Sequence, residues 1–454
     1  MSSDSPTCIE IRNKIPDDWD ALPLDAVTDF QEGPGILAKD FHDIGIPLLR
    51  LRNIETPLVQ LNGCNFLDPE KVKKKWSHFA LKEGDLLIST SASLGRVSVV
   101  GEDAVGSIPY TGIIRFRSSS PKLDHKFLRA FLSSAAFIQQ AEQMATGSVI
   151  KHFGPSHLRQ MAIALPSISE QVYIAGMFDA LDERIRLLRE TNATLEAIAQ
   201  ALFKSWFVDF DPVHAKQQGI APEGIDEATA ALFPDGFEES ELGLVPRGWR
   251  SATLADLAVY QNGYAFKTTD WKDSGHPVVK IGNVKPGVID ISGSSYVFPE
   301  VTKGLERFLL KRGDLLVGMT GYVGETGLVP DIEPSAYMNQ RVGRISTSNG
   351  IDDLGFVYCL VRNSAYKAHA EAKSHGSAQA NVSGSDLMSY PTVVPSSEVL
   401  DSFNQIVHRL IDTILSNHAQ AQTLATLRDT LLPRLISGQL RLPEAEEILE
   451  ETMA

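Results

Sequence analysis

The stretch from residue 170 to residue 206 reads EQVYIAGMFDALDERIRLLRETNATLEAIAQALFKSW, and its spacing decides the fold. Apolar or small side chains recur along it in alternating steps of four and three residues, with Asn192 in the one remaining core position: Ile174, Phe178, Leu181, Ile185, Leu188, Leu195, Ala199, Leu202 and Trp206. Such a spacing is the seam of a coiled coil. The stretch is therefore predicted to be a long helix that packs along one face against a partner helix.

The partner lies near the end of the chain, where the same rhythm returns. The matching positions are Phe403, Val407, Leu410, Ile414, Asn417, Ala421, Leu424, Arg428, Leu431 and Leu435. An end-to-end antiparallel alignment of the two seams sets Asn192 opposite Asn417. We predict that these asparagines hydrogen-bond and fix the register of the helix pair at some cost in stability. Two unrelated, solvated asparagines are the alternative.

The repeat extends beyond the helices, at a nearly constant offset of about 229 in residue number. Matching segments are Gly45–Ile54 with Gly275–Val284, Leu81–Ile88 with Leu310–Val317, and Gly147-Ser148 with Gly376-Ser377. Each half is predicted to be rich in β-strands first and helical afterwards. The expected fold class is α+β, with two globular α/β domains separated by a long antiparallel two-helix coiled coil and related by the internal repeat.

The predicted order is a first globular domain at 1–167, a spacer helix at 168–208, an acidic linker at 209–245, a second globular domain at 246–396, a second spacer helix at 397–438 and an acidic tail at 439–454. Predicted strands are Pro47–Ile54, Leu86–Ser89 and Leu315–Val317, and predicted amphipathic helices are Lys126–Met144 and Gly355–Lys373. Ser169 and Ser397 are the expected N-caps of the two spacer helices.

The formal charge of −15 is concentrated in two segments. Residues 209–245 hold nine acidic side chains against Lys216 alone, and residues 444–454 hold five glutamates and no base. These segments contribute −8 and −5, so the remaining chain is nearly neutral. The bulk charge therefore neither supports nor excludes DNA as a ligand, and both acidic segments are expected to be solvated.

Composition and motifs exclude several classes of protein. Three distant cysteines, Cys8, Cys64 and Cys359, do not make a disulfide framework or a cysteine-based zinc site, which fits a reducing cytoplasm. No apolar run is long enough to span a membrane, and the first residues do not read as a secretory signal. The chain holds neither a Gly-Lys-Ser/Thr phosphate loop nor the Asn/Asp-Pro-Pro-aromatic tetrapeptide of methyl transfer. We expect no cofactor, no metal and no catalytic residue.

A family resemblance rests on the order of several segments. The central segment LFKSWFVDFDPV (202–213) is followed by LFP (232–234) and by SELGLVPRGW (240–249). The repeated Gly-Asp-Leu-Leu and the closing LLPRLISG (431–438) complete the set. Over nearly its whole length the chain resembles the specificity (S) subunit of type I restriction–modification enzymes.

The resemblance implies two target-recognition domains held apart by antiparallel helices. Each domain would read one half of a split double-stranded DNA site, and the helices would fix the gap between the halves. Methylation and cleavage would belong to partners, namely methyltransferase subunits, expected as two copies, and translocase/nuclease subunits. The two recognition domains differ in sequence, which implies two different half-sites and an asymmetric target.

Candidate DNA contacts are cationic or polar residues at strand ends and in loops. They are Arg50, Arg52, Asn53, Lys71, Lys73, Lys74, Lys75, Ser91, Ser93, Arg96, Lys151, His152, Lys280, Asn283, Thr320, Tyr322, Gln379 and Asn381. For each of them, ordinary solvated surface is the alternative. Trp206, Phe207 and Phe210 are either core residues or a docking surface for partner subunits.

Two other kinds of protein remain as alternatives to a DNA-recognition subunit. One is a complete enzyme with unrecognised methyltransferase or nuclease motifs, which would transfer methyl groups on its own. The other is a duplicated scaffold that never touches DNA, which the nearly neutral surface favours.

Overall fold

A computed structural model describes residues 6–55, 57–90, 96–144, 154–375 and 380–453. The chain divides into two compact units, one formed by residues 1–184 with 424–454 and the other by residues 185–423. Each unit contains one globular domain and the adjoining parts of both long helices. In the described part of the chain no helix is long and apolar enough to cross a membrane.

The described part of the first unit contains three small sheets. The first is four-stranded, with the order Thr28–Glu32, Ile113–Ser118, Leu86–Ser89, Val97–Val99. The second is three-stranded, with the order Asn65–Leu67, Ile46–Leu49, Ile108–Pro109. In the third, Asp20–Pro23 pairs with Ala162–Leu165. Its shorter α-helices are Pro6–Arg12, Leu24–Val27, Pro69–Lys75, His125–Ser133, Ala135–Met144, Pro155–Leu158 and Leu442–Met453.

The second unit repeats this plan. Its larger sheet is five-stranded, with the order Val259–Asn262, Val342–Ser346, Leu315–Gly318, Thr326–Leu328, Gly287–Val288. A three-stranded sheet has the order Ser295–Val297, His276–Val279, Tyr337–Met338. A two-stranded sheet pairs Arg250–Thr253 with Pro391–Val394. A hairpin joins Phe237–Ser240 to Gly243–Pro246. The shorter α-helices are Asp211–Gln217, Glu227–Ala231, Pro299–Thr302, Leu354–Arg362, Ser364–Ala372 and Gly384–Met388.

The central strand of each larger sheet is the apolar run predicted after Gly-Asp. Leu86–Ser89 is buried along its whole length and lies between two neighbours, as does Leu315–Gly318. The register is the same in both copies, with Leu87 opposite Arg115 and Leu316 opposite Arg344. The prediction of an α+β repeat is thus confirmed. The strand predicted over Pro47–Ile54 is shorter than expected, because the chain turns into a 3₁₀ helix at residues 51–53.

Each predicted amphipathic helix is in fact two helices. The break falls at Ser134 in the first copy and at Asn363 in the second, both of which have extended backbone angles. The Asn363 side chain accepts a hydrogen bond from the Ala365 N–H and so caps the second helix. Serine and asparagine compete with helical hydrogen bonding in this way, which favours a break at these positions.

The two long helices, Ile168–Phe207 and Ser397–Ile436, each have 40 residues. Their N-caps differ from the predicted ones. The Glu170 N–H donates to Ser167 Oγ at 3.3 Å, and the Val399 N–H donates to Ser396 Oγ at 3.5 Å. The N-caps therefore lie two residues before Ser169 and one before Ser397, and the first helix has the Ser-x-x-Glu capping box.

The antiparallel pairing of the long helices is present within each unit. In the second unit Asn417 Nδ2 donates to Asn192 Oδ1 at 2.9 Å. In the first unit Arg428, the one charged residue of the seam, forms an ion pair with Asp182 at 2.7 Å. The aliphatic part of the Arg428 side chain thus crosses the apolar layer, and its guanidinium lies at the edge of the seam.

The acidic segments are folded, contrary to expectation. In 209–245, Val213, Phe233 and Val245 are buried, and the first two belong to the core of the second unit. In the tail, Leu440 and Ala445 are buried. Since burying these apolar side chains is favourable, both segments pack on the protein, and most of their carboxylates lie on the outer side.

Candidate nucleic-acid interface

A turn after the strand Ile46–Leu49 is repeated after His276–Val279, and an asparagine shapes it in both copies. Asn53 Oδ1 accepts the Arg50 N–H at 2.8 Å, and its Nδ2 donates to Gln60 O at 2.9 Å. Asn283 makes the same two bonds, to the Lys280 N–H at 2.8 Å and to Asp290 O at 2.8 Å. Both asparagines are buried. The expectation that they contact bases is therefore wrong, because their amides already hold the turn together.

The same turn presents a different cation in each copy. Arg50 lies 3.4 Å from Asn65 Oδ1 and 5.9 Å from the centroid of the Tyr110 ring. Lys280 donates to Ser295 Oγ at 2.7 Å and lies 3.9 Å from the centroid of the Trp271 ring. Partial burial lowers the pKa of Lys280. The backbone is thus shared, while the functional groups it presents differ.

The lysine cluster of the first unit lies on the helix Pro69–Lys75, which Asp68 caps through the Lys71 N–H at 2.7 Å. Val72 is buried, and Lys73, Lys74 and Lys75 are exposed. Lys71 differs from the others because it forms an ion pair with Asp40 and lies 5.7 Å from the Trp76 ring centroid. Three exposed cations on one short helix suit phosphate contacts.

Two segments of the second unit contact the loop 318–324. A Cβ atom at Gly318 would lie 2.5 Å from Ile281 Cδ1, so the loop packs directly on the turn that follows Lys280. The Gly321 N–H donates to Ala380 O at 2.9 Å, and Thr320 Oγ1 donates to Asn381 Oδ1 at 2.7 Å. These contacts bring together three predicted residues from two separate segments of the chain, namely Thr320, Tyr322 and Asn381.

Lys285 joins this group, which we call the loop cluster (Lys285, Thr320, Tyr322 and Asn381). Its ammonium lies 5.8 Å from the centroid of the Tyr322 ring, and Tyr322 is 59% exposed. Thr320 is buried, whereas Asn381 and Lys285 are exposed. A cation, an aromatic face and an amide on one surface are groups that proteins use to bind nucleic-acid backbones and bases.

Sequence reasoning missed Lys285 and Arg341. Arg341 is exposed, and its carbonyl accepts the Met319 N–H at 3.1 Å, which places it beside the loop 318–324. Lys285 precedes a Pro-Gly turn, and that position could have marked it as a loop cation. Nothing in the sequence around Arg341 signals its proximity to the loop.

The remaining candidates divide into two groups. Arg52 and Arg96 are exposed. Ser91, Ser93, Lys151, His152 and Gln379 lie outside the described residues.

The aromatic side chains proposed for partner docking belong to the interior of the second unit. Trp206 is 2% exposed and Phe207 is 6% exposed. Phe207 packs edge-on against Phe403 at 4.8 Å between ring centroids, and Trp206 against Phe233 at 5.0 Å. Phe210 is partly buried and adopts a left-handed backbone conformation with φ of 55°. A docking role for Trp206 and Phe207 is wrong, because their rings already fill the core, and Phe210 packs against that core.

Comparison with known proteins identifies the family. The model of the type I restriction modification DNA specificity domain matches the chain twice, over residues 17–197 and 246–426. The chain belongs to this family and carries two copies of its domain.

Several relatives match over most of their length. The type I restriction enzyme MjaIX specificity subunit of Methanocaldococcus jannaschii is 24% identical over 440 residues, covering 95% of both chains. The HindI specificity subunit of Haemophilus influenzae is 25% identical over 405 residues, covering 80% of this chain and 87% of that protein. Among solved structures, the S subunit of a type I restriction-modification system from M. genitalium is 17% identical, with a TM-score of 0.49 over 93% of this chain and 97% of that one.

Proposed function

We propose that the chain is the DNA-recognition subunit of a type I restriction–modification enzyme and that it reads a split, asymmetric site in double-stranded DNA. Each copy of the specificity domain reads one half of the site. The long helices hold the two halves at a fixed spacing. The subunit is not catalytic; it directs partner methyltransferase and restriction subunits to the site in the cytoplasm.

The observation that carries the proposal is the pair of equivalent turns. Their backbones are held by the same asparagine hydrogen bonds, yet one turn presents Arg50 beside Asn65 and the other presents Lys280 beside Ser295. A shared scaffold with different hydrogen-bonding groups is what two different half-sites require, because base edges are distinguished by their donors and acceptors. A scaffold that only spaced its partners would not need this difference.

Phosphate contacts are assigned to the exposed cations, namely Lys73, Lys74 and Lys75 in the first unit and Lys285 and Arg341 in the second. The rest of the surface is not strongly basic. In this proposal the methyltransferase partners supply further phosphate contacts, as the nearly neutral charge outside the two acidic segments requires.

Co-expression tests the proposal. The chain and its methyltransferase partner are produced in a host without DNA methylation, and methylated adenines in the genome are mapped by single-molecule sequencing. We expect one motif made of two different half-sites separated by a constant gap, and no methylation from the methyltransferase subunits without the chain. An ungapped motif, or no methylation in the presence of both partners, contradicts the proposal.

A further inference from the structure

Asn381 lies in a surface loop whose backbone is held in place by several hydrogen bonds. Its N–H donates to His375 O at 2.9 Å, and the His375 N–H donates to Asn381 O at 2.8 Å. The next residue, Val382, is 1% exposed, and its N–H donates to Met319 O at 3.0 Å. The backbone is therefore held on both sides, while the Asn381 side chain itself is exposed.

Thr320 orients that side chain. It is 9% exposed, and its hydroxyl donates to Asn381 Oδ1 at 2.7 Å. In the part of the chain that the structure describes, no hydrogen bond engages Asn381 Nδ2. The amide consequently turns its two N–H donors outward, and one lone pair of its oxygen remains available.

We propose that Asn381 reads one purine of the second half-site through the N7 acceptor on its major-groove edge, and that Thr320 is the positioning residue for that contact. This assignment rests on the function proposed above. The outward N–H donors match N7, and the remaining lone pair of the oxygen allows the bidentate contact with adenine. Lys285 and Tyr322, on the same surface, supply contacts to the DNA backbone.

The repeat supports a role in specificity. The alignment of Gly147-Ser148 with Gly376-Ser377 makes His152 the counterpart of Asn381, and the alignment of the Gly-Asp-Leu-Leu segments makes Ser91 the counterpart of Thr320. The two halves therefore carry different side chains at both equivalent positions, His152 against Asn381 and Ser91 against Thr320. A residue that only shaped the loop would need no such difference, as Asn53 and Asn283 show at the turn where both copies keep asparagine.

The test is the Asn381→Asp variant, which replaces the two N–H donors by acceptors while the Thr320 hydroxyl still donates to it. Acceptors favour the N4 donor of cytosine. We expect the methylated motif to change at one base pair of one half-site, from purine to cytosine, with the other half-site and the gap unchanged.

The matched control is Asn349→Asp, the same chemical change at an exposed residue. Asn349 follows the strand Val342–Ser346 at the end remote from Gly318, because Val342 pairs with Gly318 and Ile345 pairs with Leu315. This variant is expected to keep the wild-type motif.

If Asn381→Asp abolishes methylation, DNA binding of the complex is measured on oligonucleotides that carry each base pair in turn. A loss of about tenfold or more confined to one position supports the assignment, since one good bidentate contact discriminates by that order. Equal loss on every sequence overturns it. Thr320→Val is expected to weaken discrimination at the same position only, whereas an unchanged base preference overturns its positioning role. A wild-type complex that methylates no motif refutes the proposed function instead.

Discussion

Asn417 Nδ2 donates to Asn192 Oδ1 at 2.9 Å, and Asn192 Nδ2 donates to Ile414 O, also at 2.9 Å. The two half-buried amides lie between apolar layers of the seam, where these two hydrogen bonds engage both of them. A helix pair that slipped by one heptad along its seam would set each amide against an apolar side chain, namely leucine, isoleucine or alanine. The asparagine pair therefore favours one register over its neighbours.

We predict that Asn192→Ala destabilises the second unit by about 1–2 kcal/mol, because it leaves the half-buried Asn417 amide without its partner. Replacing both residues by leucine is expected to be neutral or stabilising, since no unpaired amide remains. Urea unfolding of the two variants measures the difference. If the single and double variants lose the same stability, the two side chains are not coupled.

Arg362 links the first long helix to the strand Thr326–Leu328. Its guanidinium lies 3.0 Å from Glu196 and 3.9 Å from Glu325, and it donates to Thr326 O at 3.3 Å. The side chains of Arg362, Glu196 and Glu325 are largely buried, with exposed fractions of 14%, 19% and 15%. Arg362→Met is predicted to cost about 3 kcal/mol, because it leaves a buried carboxylate without its cation.

Thermal unfolding checks this cost, with Lys14→Met as the control. The Lys14–Glu10 pair is exposed, with 69% and 67% of the side chains accessible, so its loss should leave the melting temperature unchanged. The double variant Arg362→Met/Glu196→Gln is expected to recover part of the stability. Full stability in Arg362→Met alone contradicts the assigned role.

Lys285 is predicted to contact a phosphate. For the complex, Lys285→Ala should lower the slope of log affinity against log salt by about 0.9, with little change in base preference. Lys311→Ala is the control, because Lys311 is exposed at the opposite end of the strand Leu315–Gly318. Binding isotherms at several salt concentrations measure both slopes. Equal slopes for wild type and Lys285→Ala exclude the contact.

Trp206 is predicted to stabilise the second unit by packing in its core and not to bind partner subunits. Trp206→Ala should destabilise the second unit by about 3–5 kcal/mol, the usual cost of emptying a buried aromatic site. The exposed neighbour Val208 is the control, and Val208→Ala should change stability by less than about 0.5 kcal/mol. A fully stable Trp206→Ala protein that no longer binds its partners would restore the docking role.

His418 is predicted to make the stability of the second unit depend on pH. Burial lowers its pKa from 6.5, repulsion by Arg189 adds to this, and Asp290 opposes it. As the pH falls below 6.5, the unfolded chain takes up a proton before the folded one does, so stability is lost in that direction. His418→Gln should therefore lose less stability than wild type between about pH 7.5 and pH 5.5 in urea unfolding. If wild type and His418→Gln lose the same stability over this pH range, His418 is not the cause of the pH dependence.

Several features were predictable from the sequence because they depend on local periodicity. The heptad spacing predicted both long helices, and the position of Asn192 and Asn417 within their seams predicted which residues would face each other. The run after Gly-Asp predicted the central strands Leu86–Ser89 and Leu315–Gly318. The extent of the family match agrees with the repeat that the sequence itself displays.

Exposure was predicted less well, because it depends on contacts far along the chain. Asn53 was expected at the surface, yet its amide is buried and bonded to carbonyl groups of a later loop. Trp206 was left open between core residue and docking surface, and rings from several distant segments decide for the core. Lys285 and Arg341 were missed for the same reason. Neither has a local signal that places it beside the loop 318–324.

The sequence by itself therefore determined the repeat, the helix pair, its register and the family. Those features follow from the order and spacing of side chains along one helix or strand, which local geometry converts directly into structure. Only the tertiary structure decided which polar side chains remain exposed and available to contact DNA. That depends on folding segments such as those of Thr320 and Asn381 together, where a single hydrogen bond orients the amide that neither segment could orient alone.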